Sequence, residues 1–113
     1  MNILFLCTAN LHRSRTAEDY FRSTINKHRY KSAGLSEKLC KQYNTRLCSI
    51  ELLKWADRIY VMEAMHIDRI TLYTGYRFIS KVENLNIDDI YQYMQAELLE
   101  KLKLNKLLQP ISR

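Results

Sequence analysis

Near the amino terminus a near-continuous apolar run, Asn2-Ile3-Leu4-Phe5-Leu6, passes directly into the mostly polar string Cys7-Thr8-Ala9-Asn10-Leu11-His12-Arg13-Ser14. A strand with apolar side chains at consecutive positions has to be covered on both faces. That is the situation of a strand inside a parallel sheet with helices above and below it. The run is far shorter than the roughly 20 residues that a membrane span needs. No basic head precedes it, so it does not read as a secretory signal, and the cytoplasm is the expected location.

The rest of the chain continues the alternation. Residues 16–26 carry Ala17, Tyr20, Phe21 and Ile25 at helical spacing, and residues 28–32 form a short second strand ended by Ala33-Gly34. Residues 36–43 and 49–55 read as helices, the second with Ser49 as N-cap and Glu51 near its start. A third strand is expected over 58–62, a helix over 63–73 and a fourth strand over 81–85. A final helix is expected over 93–108, with Met94, Leu98, Leu99, Leu102 and Leu107-Leu108 on one stripe that packs on the sheet. With no linker, repeat or low-complexity stretch, residues 1–113 are expected to form one α/β domain with right-handed crossovers. In such sheets chemistry sits beyond the carboxyl ends of the strands, which singles out the segments after Leu6 and after Leu85.

Composition narrows the chemistry. Two glycines and one proline cannot build a glycine-rich nucleotide loop. Cys7, Cys40 and Cys48 are odd in number and lack zinc-type spacing, so reduced thiols are expected and no metal site or cofactor. Residues 1–50 hold nine Lys and Arg against three acids, whereas residues 51–113 hold nine of each sign. A basic half of this kind attracts nucleic acid, acidic lipid or a phosphorylated substrate. No nucleic-acid module is recognisable, and Lys27, Arg29, Lys31, Lys38 and Lys41 read as solvated surface.

The cysteine segment makes the phosphorylated substrate the leading reading. It sets a thiol at the lip of a strand and an arginine six positions later at a helix start. The intervening residues can curl so that successive N–H groups of Thr8, Ala9, Asn10, Leu11 and His12 point inward, a nest for a phosphate-like anion beside a helix N-terminus. Arg13 adds a bidentate fork. The same field favours thiolate at Cys7, and Ser14 lies where its hydroxyl reaches the sulfur. Asn10 tolerates the left-handed backbone that a closed loop needs in place of glycine.

These residues, with Thr16-Ala17-Glu18, Phe21, Ser32-Ala33-Gly34 and Trp55-Ala56-Asp57-Arg58-Ile59-Tyr60-Val61-Met62, resemble the low-molecular-weight protein tyrosine phosphatases over most of the chain. The resemblance implies a small three-layer fold: a four-stranded parallel sheet flanked by helices, with the cysteine phosphate-binding loop after the first strand. It also implies a phosphocysteine intermediate on Cys7, with Arg13 binding the phosphoryl group throughout. Two positions depart from the family's pattern: Arg15 stands where proline usually follows the Arg-Ser pair, and His12 stands where many members carry a second cysteine.

A leaving group needs a proton donor, and the water that hydrolyses the thiophosphate needs a base. One carboxyl group can serve both steps. Asp88 and Asp89 lie just after the expected fourth strand. The family register selects Asp89 as general acid and base, with Asp88 as second choice and Tyr91 as the aromatic wall beside the substrate ring. The expected partner is thus a phosphotyrosine protein or another aryl phosphate, with inorganic phosphate and vanadate as inhibitors. Two alternatives stay open: a thiol-dependent arsenate reductase of the same fold using Cys40 and Cys48, and a catalytically silent phosphate-binding module.

Overall fold

The protein is described, over residues 1–112, from a computed structural model. Four parallel strands, β1 (Asn2–Cys7), β2 (Arg29–Gly34), β3 (Arg58–Val61) and β4 (Val82–Asn84), form one sheet in the order β2-β1-β3-β4. The helices are α1 (Arg13–Thr24), α2 (Glu37–Tyr43), α3 (Ile50–Trp55), α4 (Ala64–Thr74), α5 (Ala96–Leu104) and α6 (Gln109–Ser112). This is the expected α/β architecture with its four-stranded parallel sheet.

The consecutive apolar side chains of β1 divide between the two faces of the sheet. Ile3, Phe5 and Cys7 enter one core with Ala17 and Phe21 of α1 and Leu98 and Leu102 of α5. Leu4 and Leu6 enter the other, with Leu53 of α3 and Ile70 of α4. Phe5 stacks at 5.8 Å on Phe21 and 5.7 Å on Tyr60, pairs of about 0.5–1.5 kcal/mol each beyond their buried area. The two short helices start as their sequences dictate: the hydroxyl of Ser36 accepts the Leu39 N–H and that of Ser49 accepts the Leu52 N–H, each at 3.2 Å.

Three boundaries differ from the periodicity. Helix α1 begins at Arg13, not at residue 16, because the cysteine loop runs straight into its first turn. Strand β4 has three residues, although Leu85 N–H and Ile87 N–H continue the pairing to Val61 and Met62 carbonyls at 2.8 Å. The expected helix over 93–108 is interrupted. It starts only at Ala96, and Asn105 ends it by accepting the Leu107 N–H at 3.0 Å and donating to the Leu85 carbonyl at 3.0 Å. A local Asn cap and a tertiary bond here outweigh helical spacing.

The chain winds from β1 to β2 on one side and returns to β3 on the other, so the carboxyl ends of β1 and β3 flank a topological switch point. Open α/β sheets bind ligands at such points. No helix among the described residues is long and apolar enough to cross a membrane.

Candidate active site

The cysteine loop lies at this switch point. Cys7 is 3% exposed, and its Sγ is 3.0 Å from Ser14 Oγ. Asn10 adopts φ +54°, the left-handed conformation expected for it. Its amide donates to Ser14 Oγ at 2.8 Å and to Ser32 Oγ at 2.9 Å, and Ser32 in turn donates to Glu18. The Asn10 side chain therefore braces the loop from beneath, tying it to α1 and β2. Among the described residues, the main-chain N–H groups of Ala9, Asn10, Leu11 and His12 find no protein acceptor. Consecutive unpaired amides of this kind form an anion-binding concavity.

Arg13 is 2% exposed, and its charge is compensated by residues from two other loops. Its Nη1 donates to Glu63 Oε2 and to the Ile87 carbonyl, both at 2.8 Å. Its Nε lies 3.6 Å from Asp89 Oδ1. Of the five guanidinium N–H groups, those on Nη1 are thus committed behind the site, leaving the Nε and Nη2 edge for an anion.

Glu63 follows β3 directly and caps α4 in a reciprocal box with His66: its own N–H donates to His66 Nδ1 at 3.1 Å. With Nδ1 accepting, the ring proton is on Nε2, which reaches Thr8 Oγ1 at 3.0 Å. Burial, with the Arg13 charge adding to it, holds His66 neutral, its pKa lowered to about 4. Glu63 and His66 lie beside the site although neither is among the residues expected from the sequence. The signal was there, because the rule about strand carboxyl ends applies to β3 as much as to β1 and β4.

Cys7, Thr8, Ala9, Leu11, His12, Arg13 and Asp89 line one cavity of about 230 Å³, together with Leu39 and Tyr43 of α2. Ser14 and Asn10 lie beneath it. Asp89 is 62% exposed at the rim, and Asp88 is exposed. Tyr91, expected beside the substrate, packs half-buried against the core, and Tyr43 is the aromatic ring lining the cavity. Cys40 is buried, its Sγ 3.6 Å from the Arg46 carbonyl, and burial pushes the Cys48 thiol up to about 12. Among the described residues no three His, Cys, Asp or Glu side chains gather as a metal site.

Residues 2–57 match the family model described as low molecular weight phosphotyrosine protein phosphatase. No curated protein sequence matches the chain significantly. Among solved structures, YfkJ from Bacillus subtilis aligns with a TM-score of 0.69 at 21% identity, covering 99% of this chain and 94% of its own. Wzb from Vibrio vulnificus, in complex with benzylphosphonate, aligns at 0.69 and 19% identity, covering 98% and 93%. The YwlE arginine phosphatase from Geobacillus stearothermophilus aligns at 0.60 and 19% identity, covering 97% and 86%. These likenesses show a shared fold. Residues 2–57, the half of the chain that carries Cys7, Arg13 and Ser14, belong by that match to the low molecular weight protein tyrosine phosphatase family, and the chain as a whole shares the fold of the aligned structures.

Proposed function

We propose that the protein hydrolyses aryl phosphate monoesters, phosphotyrosine among them, through a phosphocysteine on Cys7. The observation that carries this reading is the convergence of a buried thiol, a buried guanidinium, unpaired loop amides and one carboxyl group on a single cavity. The loop amides and the Nε and Nη2 edge of Arg13 bind the phosphoryl oxygens. Cys7 attacks phosphorus, the bond to the leaving oxygen breaks, and Asp89 gives that oxygen its proton. Water then attacks the thiophosphate, Asp89 takes its proton, and the phosphorus–sulfur bond breaks to release phosphate and restore the thiolate. Ser14, at 3.0 Å, donates to the departing sulfur.

Leu39 and Tyr43 give the cavity an apolar wall and an aromatic wall, which favours a flat aryl group. Burial of Cys40 and the raised pKa of the half-buried Cys48 speak against a disulfide relay of the reductase kind. Three unpaired thiols suit a reducing compartment such as the cytoplasm. The proposed steps call on side chains and loop amides of this chain and on water.

The test is hydrolysis of para-nitrophenyl phosphate with a chelator present. Cys7→Ser is expected to abolish turnover while vanadate still binds, and Asp89→Asn to lower kcat by about 10²–10⁴-fold, the usual share of a general acid. Turnover by Cys7→Ser would refute the mechanism. A larger loss with Asp88→Asn than with Asp89→Asn would move the acid by one residue.

A further inference from the structure

Asp89 poses a problem of position. It is mostly exposed and sits within residues 85–95, a stretch without regular structure between β4 and α5. An acid held only by such a loop would sample many placements, and misplacement by about 1 Å can cost on the order of 10²-fold in rate. The entry side is fixed: Ile87 is buried, its N–H donates to the Met62 carbonyl at 2.8 Å, and its carbonyl accepts from Arg13.

The exit side is fixed by α1. Tyr93 N–H donates to His12 Nδ1 at 3.1 Å, and Met94 N–H donates to Thr16 Oγ1 at 2.9 Å. The Tyr93 hydroxyl donates to Asp19, a bond that raises the Tyr93 pKa. Met94 adopts φ +60°, a left-handed conformation that strains an ordinary side chain. That turn aims two successive amides at α1, so bonds to α1 have to offset it.

We propose that His12 is the positioning residue of the acid loop, holding Asp89 over the Cys7 cavity through its bond to the Tyr93 amide. His12 is the N-cap of α1 and directly precedes Arg13. It also lines the cavity. The phosphate loop and the acid loop are thereby locked to one another at the residue where the family's pattern has cysteine. The inference rests on Asp89 being the general acid, and the experiment separates the two.

The measurement is kcat/KM for aryl phosphates of graded leaving-group pKa, from 2,4-dinitrophenyl to phenyl phosphate. A dinitrophenolate leaves without a proton, whereas phenolate needs one. Asp89→Asn is expected to steepen the dependence fully. His12→Ala is expected to steepen it in part, with a loss of about 10–100-fold for phenyl phosphate and much less for the dinitrophenyl ester. Thr16→Val, which removes the neighbouring acceptor, steepens it as well, and His12→Asn, which keeps an acceptor, recovers part of the loss. If Asp89→Asn steepens the series and His12→Ala lowers all substrates equally or none, His12 has no positioning role. If Asp89→Asn itself leaves the series flat, the acid assignment falls, and the role of His12 with it.

Discussion

A buried arginine is the residue on which this site turns. In the proposed mechanism Arg13 presents N–H groups to a phosphoryl group while folded into an interior that penalises an unpaired charge. Glu63 and the Ile87 carbonyl resolve the conflict by satisfying Nη1 from behind. His66 completes the support: it accepts the Glu63 amide on one ring nitrogen and meets Thr8 with the other. A protonated imidazole could not accept that amide, and it would add a second cation beside Arg13.

The consequence for stability can be stated with its sign. The folded-state pKa of His66 is about 4, lowered from 6.5 by burial and by Arg13, with Glu63 and Asp89 opposing and Arg69 assisting. Between these values the unfolded chain binds the proton and the native protein does not. The stabilising term is therefore complete above about pH 6.5 and lost as pH falls toward 4, about 3 kcal/mol in all. Urea unfolding across this range should show wild type losing stability relative to His66→Gln, which keeps polar atoms but cannot titrate. A difference that stays constant with pH would contradict the neutral, buried imidazole.

At the scale of elements, the segments on either side of α2 hold the phosphate loop from the side. Leu35 and Ser36 N–H groups donate to the Thr8 carbonyl at 3.0 and 2.9 Å, and the Thr45 hydroxyl donates to the Ala9 carbonyl at 2.5 Å. The seam has no spare room at Gly34. A Cβ there would lie 2.5 Å from Cys40 Sγ, 2.7 Å from the Thr8 carbonyl oxygen and 2.9 Å from Ala9 C. Gly34→Ala should therefore push on the loop that carries the chemistry. The expected cost is about 1–3 kcal/mol of stability, as for overpacking elsewhere, with a drop in kcat/KM. Gly75→Ala is the control: its φ of +65° makes alanine strained, but nothing lies within 4 Å of the added carbon. It should cost roughly 1 kcal/mol and leave kcat/KM unchanged. Equal kinetic behaviour of the two variants would argue against the close approach at Gly34.

The same elements show what could be read from the sequence. The buried strand, the cysteine loop and the left-handed Asn10 are local features, each set by residues a few positions apart. Leu39 and Tyr43 reach the site through the tertiary placement of α2, which no local pattern encodes, whereas Glu63 and His66 stand just past the carboxyl end of β3, where the strand-end rule points. Residues 93–95 have helical spacing, yet His12, Thr16 and Asp19 draw them into the acid loop. Tyr91 packs partly buried against the core, a placement that depends on tertiary contacts.

At the scale of the whole molecule, the β2-β1-β3-β4 order gathers three loops at one edge of the sheet: the cysteine loop after β1, Glu63 after β3 and the acid loop after β4. Arg13, lining the cavity, supplies the positive charge at this end of the sheet for an anionic substrate. In the proposed mechanism these parts serve the transfer of a phosphoryl group to Cys7. The direct measurement is rapid quenching of Asp89→Asn during turnover of 2,4-dinitrophenyl phosphate, a substrate whose leaving group needs no acid, followed by mass spectrometry of the peptide that carries Cys7. The account predicts one phosphoryl group on Cys7, accumulating because the base for its hydrolysis is gone. A phosphoryl group on any other residue, or product formed with none on the protein, would contradict it.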